Sequence, residues 1–211
     1  MIENFKNVLI LAPHTDDGEL GAGGTIARLI ESGSKVTYVA FSTAAESVPE
    51  GFPSNILKEE VANATKALGI TSGNLIVFNY QVRRLNYYRQ EILEDLIKLR
   101  RSDNFDLILT PSLNDIHQDH STIALESLRA FKNTTILGYE LIWNNLSFDT
   151  KCFVSLNESH LKSKYRALLE YKSQGKRPYL SQKFISALAI ARGVQSGSEY
   201  AECFEVIRLY L

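Results

Sequence analysis

Val8-Leu9-Ile10-Leu11-Ala12 is an unbroken apolar run that Pro13 closes, and His14-Thr15-Asp16-Asp17 follows with no spacer. A short run rich in β-branched and aliphatic residues reads as a buried strand. Proline has no N–H to give to a ladder, so it ends the strand. In α/β sheets the loops leaving the carboxyl ends of strands are where ligands bind. Here that loop carries an imidazole and two carboxylates within four positions. A glycine-rich stretch, Gly18 to Gly24, reads as a turn leading into an apolar-periodic segment from Thr25 to Ile30.

The same arrangement recurs about a hundred residues on. Asp106-Leu107-Ile108-Leu109-Thr110 reads as a second buried strand, closed by Pro111. Asn114-Asp115-Ile116-His117-Gln118-Asp119-His120 comes next, ahead of a helical pattern at Ile123, Ala124, Leu125, Leu128 and Phe131. Three of the chain's four histidines fall in these two loops, so the pattern brings them to one sheet edge, where they could share an ion.

The elements between and beyond alternate. Strands are expected at Asn7–Ala12, Lys35–Ser42, Asn74–Phe78, Asp106–Thr110 and Thr134–Leu137. Helices are expected from Gly23 to Ser32, from the Ser54 cap to Leu68, and from Tyr87 to Arg101, with Gly33 and Gly69 as stops. Past Gly138 the rhythm changes. A strand at Cys152–Leu156, a helix at Glu158–Lys172 capped by Asn157, a helix from Ser181 to Arg192 ending at Gly193, and a strand at Phe204–Tyr210 complete the pattern. Such alternation predicts an α/β, Rossmann-like three-layer sandwich: a mostly parallel central sheet with helices on both faces. No repeat or linker divides residues 1–211, which are expected to form one domain.

Composition removes several functions. The formal net charge is −1 with no Lys/Arg block, which argues against nucleic acid as partner. No apolar stretch reaches the roughly 20 residues a bilayer span needs, and no signal-peptide layout is present; a cytoplasmic protein with no membrane partner is the expectation. Cys152 and Cys203 match no redox or metal spacing and are expected as free, small buried residues. Gly18, Gly21, Gly23 and Gly24 miss the G-x-G-x-x-G register, and no Gly-Lys-Ser/Thr occurs, so neither a dinucleotide loop nor a P-loop is read here. The glycines instead leave room for a metal loop and close helix–sheet packing.

A catalytic zinc takes three protein ligands from His and carboxylate and keeps a fourth position open. His14, Asp17 and His120 supply such a set, and Asp16 and His117 remain beside it. A polar turn with Asp as a helix cap explains the first cluster alone, but not the two together. Amide hydrolysis needs this combination: a cation to activate water, a carboxylate to take the proton, and a donor for the oxyanion.

His14-Thr15-Asp16-Asp17 and His117-Gln118-Asp119-His120 together resemble the His-x-Asp-Asp and His-x-Asp-His motifs of the PIG-L/LmbE-like N-acetylglucosaminyl-type deacetylases. Gly21-Ala22-Gly23-Gly24-Thr25, Glu60…Ala64…Leu68-Gly69 and Arg192-Gly193…Tyr200-Ala201-Glu202 extend the resemblance over nearly the whole chain. It implies Zn²⁺, or another divalent transition metal, on His14, Asp17 and His120. It implies Asp16 as general base and His117 as oxyanion donor or acid. Asp119 would orient His117 or a ligand histidine, or cap the following helix. The implied activity is removal of an N-acyl group, chiefly acetyl, from a small N-acylated amino sugar or its conjugate. The alternatives are an amidase acting on a thiol-glycoside or other conjugate, and a non-catalytic metal- or sugar-binding module. Family members often assemble, so a homo-oligomer belongs to the expectation.

Two departures stand out. Leu57, with Lys58 beside it, occupies a position where many members carry an arginine near the substrate, and Thr15 stands where proline is common. Arg83, Arg84, Tyr139, Trp143 and Arg192 are candidate substrate contacts, against the plainer alternatives of solvated arginines and core aromatics. His160, away from both motifs, is read as a surface residue.

Overall fold

The computed structural model describes residues 2–210. Seven strands form one sheet in the order β3-β2-β1-β4-β5-β7-β6. They are β1 (Asn7–Ala12), β2 (Lys35–Ala40), β3 (Leu75–Val77), β4 (Leu107–Pro111), β5 (Thr135–Tyr139), β6 (Cys152–Leu156) and β7 (Tyr200–Arg208). The five strands from β3 to β5 pair in parallel, and β7 runs antiparallel to both neighbours. Six helices cover the sheet: α1 (Asp17–Glu31), α2 (Ile56–Leu68), α3 (Arg89–Ser102), α4 (Gln118–Ala130), α5 (Glu158–Leu169) and α6 (Gln182–Ser196).

β1 shows why the apolar run has no alternation. Its neighbours are β2 and β4, so side chains on both faces are covered. Val8, Ile10 and Ala12 enter the core beneath α1 and α2, with Leu161 and Ala167 of α5. Leu9 and Leu11 enter the opposite core with Ile92, Leu93 and Leu96 of α3 and Ile123 of α4. Each of these Val, Leu and Ile side chains contributes about 1.5–3 kcal/mol on burial, and a shift of one residue would exchange the two cores.

The glycine-rich stretch is not a turn. α1 begins at Asp17 and runs through Gly18, Gly21, Gly23 and Gly24. Glycine is a poor helix former, but here the bare backbone is needed for contact. A Cβ on Gly21 would stand 2.3 Å from the Tyr139 ring, and one on Gly24 would stand 2.4 Å from Leu156. α6 likewise continues through Gly193, where a Cβ would lie 2.5 Å from the Glu199 carbonyl, and stops at Gly197 with φ 71°. The α2 cap is Asn55, not Ser54, and Gly69 ends that helix at φ 95°.

His160 is buried rather than superficial. It closes a capping box at the start of α5, accepting from Asn157 N–H at 3.2 Å while the Asn157 amide oxygen accepts from His160 N–H at 3.0 Å. Its Nε2 lies 2.6 Å from Glu31. Cys152 and Cys203 are free. Among the described residues no helix is long and apolar enough to cross a membrane.

Candidate active site

The loops after β1 and β4 leave adjacent strands on the same edge. The chain winds outward from β1 through β2 to β3, then returns to β4 on the other side of β1, and such a reversal opens a cleft in an α/β sheet. His14–Asp17 and Asp115–His120 meet there.

His14 Nδ1 lies 3.1 Å from Asp17 Oδ2, and His120 Nε2 lies 3.3 Å from the same oxygen. The two ring nitrogens are 3.2 Å apart. Ligands on a tetrahedral centre with bonds of about 2.0–2.2 Å are separated by roughly 3.3 Å, so these atoms match one face of such a centre. His14, His117 and His120 also form a candidate metal site, with one ligand atom from each lying within 4.8 Å of the others. The triangle that includes Asp17 is the tighter of the two, and the neutral His117 ring accepts a hydrogen bond at Nδ1, so its Nε2 carries the proton and has no lone pair to offer.

Both histidines of the triangle are tied at their far nitrogen. His14 Nε2 sits 2.9 Å from Asp119 Oδ2, and His120 Nδ1 sits 2.7 Å from Asp115 Oδ2. A carboxylate there takes the ring N–H and leaves the near nitrogen's lone pair free to coordinate. Asp119 also accepts from the backbone N–H groups of Arg83 and Leu85 at 2.6 and 3.1 Å. Asp115 also accepts from His117 N–H at 2.8 Å. The loop itself is anchored by Glu205 of β7, which accepts from Ser112 Oγ at 2.7 Å, Leu113 N–H at 3.2 Å and Asn114 Nδ2 at 2.8 Å.

The N-cap of α4 is His117, not Asp119: its Nδ1 accepts from Asp119 N–H at 3.2 Å. The proton of the neutral ring therefore sits on Nε2. Asp119 thus orients both histidines, His14 through its carboxylate and His117 through its amide. Asp16 is the N-cap of α1, yet its side chain makes no capping bond, unlike most Asp at that position. Its carboxylate lines the cleft instead.

Burial opposes charge on His14 and His120, but Asp17 and the tethering carboxylates outweigh it and raise them to about 9 and about 10. Burial also raises Asp17, but the two imidazoles outweigh it and hold it well below the ordinary carboxylate range. Asp16 is raised, by burial first and then by Asp17. His117 falls to about 4 because of burial and the charge on its two histidine neighbours.

The cleft has a volume of about 300 Å³. His14, Asp16 and His117 meet its lining with Leu57, Arg83 and Trp143, and Gln174, Arg177 and Tyr179 complete the far wall. Trp143 stacks on Tyr179 at 4.1 Å and 11°. Arg84 is exposed and outside this lining. Tyr139 cannot meet a ligand: it is fully buried and donates to the Leu11 carbonyl at 2.9 Å. Arg192 is held by Glu140, donating from Nε at 2.9 Å, and lies outside the cleft. Lys58 opens onto a separate depression with Thr43, Ser54 and Asn55.

The structure brings Asp115 and Arg177 to this site, and neither is among the candidates read from the sequence. Asp115 could have been sought by counting, because two candidate ligand histidines each call for a partner at the far nitrogen and Asp119 serves only one. Nothing in the sequence marks Arg177, since its place depends on how the segment after α5 folds back.

The family model of GlcNAc-PI de-N-acetylase, PIG-L, matches residues 9–131. The chain is 32% identical to the uncharacterized deacetylase YaiS of Escherichia coli, over 80% of this chain and 91% of that protein. It is 24% identical to diacetylchitobiose deacetylase of Thermococcus kodakarensis, over 94% and 82% of the two lengths. Its fold superposes on N,N'-diacetylchitobiose deacetylase from Pyrococcus horikoshii with a TM-score of 0.81 at 22% identity, covering 98% of this chain and 85% of that one.

Proposed function

The chain belongs to the GlcNAc-PI de-N-acetylase (PIG-L) family of deacetylases, and from that membership we propose that it hydrolyses the N-acetyl group of a small amino sugar or amino-sugar conjugate. The observation that carries the reading is a carboxylate, Asp16, left uncapped beside a triangle of donor atoms with metal-ligand spacing.

His14 Nδ1, Asp17 Oδ2 and His120 Nε2 would hold Zn²⁺ or another divalent transition metal. When bound, such an ion supplies Lewis acidity and lowers the pKa of water from ~15.7 to about 7. Asp16 takes the proton of the attacking water. Its raised pKa suits that task, because a base works best when its pKa lies near the working pH. His117 stays neutral at pH 7 and offers Nε2–H to the carbonyl oxygen as negative charge builds there. The proton on Asp16 then passes to the amine as the C–N bond breaks, so free amine and acetic acid leave, the acid gives its remaining proton to solvent to become acetate, and the Asp16 carboxylate is restored. Trp143 and Tyr179 offer aromatic faces for the apolar side of a sugar ring.

The test is metal content with acetate release. Protein purified without chelator is expected to hold about one transition metal per chain. It should release acetate from N-acetylglucosamine, diacetylchitobiose or nucleotide-linked N-acetylglucosamine. Asp16→Asn should keep the metal and lose about 10²–10⁴-fold in turnover. Metal and sugar binding with no acetate from any N-acyl amine would replace the hydrolase with a binding module. No metal after reloading would remove the ligand assignment.

A further inference from the structure

Arg83 and Arg177 line the cleft on different segments, and among the described residues neither forms an ion pair with a carboxylate. Elsewhere Arg28 pairs with Glu3, Arg89 and Arg129 with Glu126, and Arg192 with Glu140, while Arg100 and Arg208 donate to backbone carbonyls. Asp16 attracts Arg177 across the cleft without touching it.

Both arginines are held in place by the machinery around them. Arg83 has a φ of 64°, a left-handed conformation costly for a residue with a Cβ. Its N–H donates to Asp119 at 2.6 Å and its carbonyl accepts from Gln118 Nε2 at 3.3 Å. The carboxylate that orients His14 therefore also fixes Arg83. Backbone strain kept at a cleft points to a use for the side chain it displays. Arg177 donates to the hydroxyl of Tyr179, the residue stacked on Trp143. Its segment is anchored by buried Glu60, which accepts from Ser173 N–H at 2.8 Å and Ser173 Oγ at 2.6 Å.

A guanidinium is a planar fork of donors matched to carboxylate and phosphate oxygens. We propose that Arg83 and Arg177 grip an anionic group, phosphate or carboxylate, carried by the substrate beyond its N-acyl arm. The sugar in this inference rests on the deacetylase reading, whereas anion capture does not require turnover.

The test is calorimetric binding of the deacylated products to the metal-loaded protein at low salt. Glucosamine is compared with glucosamine 1-phosphate, glucosamine 6-phosphate and muramic acid, which separate the phosphate and carboxylate sources and the position of the charge. At least one anionic ligand should bind about 100-fold more tightly than glucosamine, as two charge-assisted forks would give. Arg83→Met and Arg177→Met should each cut that preference about 10-fold, and the double variant should abolish it. Arg→Lys at either position should restore part of it, which also controls for misfolding. Equal affinity for all four ligands would overturn the proposal, and so would a preference that survives in the double variant, since the anion would then sit on the metal. Acetate release from N-acetylglucosamine 6-phosphate is measured separately. Anion preference without release would count against the hydrolase and leave the arginine clamp standing.

Discussion

At the scale of single residues, the site is a set of nitrogen lone pairs aimed by carboxylates. Asp115 lies outside the cleft lining, and its side chain tethers His120 and the His117 amide. Asp115→Asn is expected to weaken metal affinity about 10–100-fold, measured by competition with a chromophoric chelator. Protons compete with the metal for the same atoms. His14 and His120, raised to about 9 and about 10, both carry protons in the metal-free protein at pH 7. Folded-state values above the ordinary 6.5 mean that these ion pairs stabilise the metal-free protein fully below about pH 6.5. That stabilisation is lost as pH rises through 9 to 10. If a metal sits on His14, Asp17 and His120 as proposed, its binding at pH 7 should release about two protons, and apparent affinity should climb by as much as ~100-fold per pH unit between pH 7 and 8.5. Titrations in buffers of different ionisation enthalpy count those protons directly; release of none would contradict the paired state. The triangle and Asp16 were legible in the sequence because four adjacent residues and one helical turn hold them. Arg177 was not, because its position comes from tertiary packing of a segment with no periodicity of its own.

At the scale of elements, the alternation of strands and helices could be read from apolar runs and glycine stops. β1 and β6 fall at the expected residues, and the strand ends at Pro13 and Pro111 follow from the missing N–H. The start of α1 and the end of α6 could not be read this way. Glycine in a sequence signals a turn through its conformational freedom, yet Gly21 and Gly193 are helical and are needed for their small size. The difference is measurable. Gly21→Ala pushes a methyl to 2.3 Å from Tyr139 and should cost about 1–3 kcal/mol by overpacking, seen as a lower urea midpoint with unchanged slope. Gly73→Ala meets nothing within 4 Å and should be neutral or stabilising by about 0.4–1 kcal/mol. Equal effects from the two substitutions would show that propensity, not contact, governs both.

At the scale of the whole molecule, one buried ion pair ties three elements together. Lys164 of α5 donates to Glu202 of β7 at 2.7 Å and to the Leu20 carbonyl of α1 at 2.7 Å. Glu202 in turn accepts from the Gly24 and Thr25 N–H groups of α1 at 3.0 and 2.7 Å. Removing one partner of such a pair strands a charge in the interior. Lys164→Met is expected to cost about 3–5 kcal/mol, read as a drop in denaturant midpoint. A change under 1 kcal/mol would mean that water reaches Glu202.

The placement of β7 between β5 and β6 has a temporal side. Translation delivers β6 long before β7, and β6 has no other strand to pair with. Until β7 clears the ribosome, the nascent sheet exposes the open rim of β5, and the loop bearing His117 lacks its Glu205 tether. Long-range strand insertion of this kind is slow and leaves unpaired rims open to other chains. A chaperone that shields β5 during synthesis would therefore protect yield, and catalytic competence would wait until β7 has been made and seated.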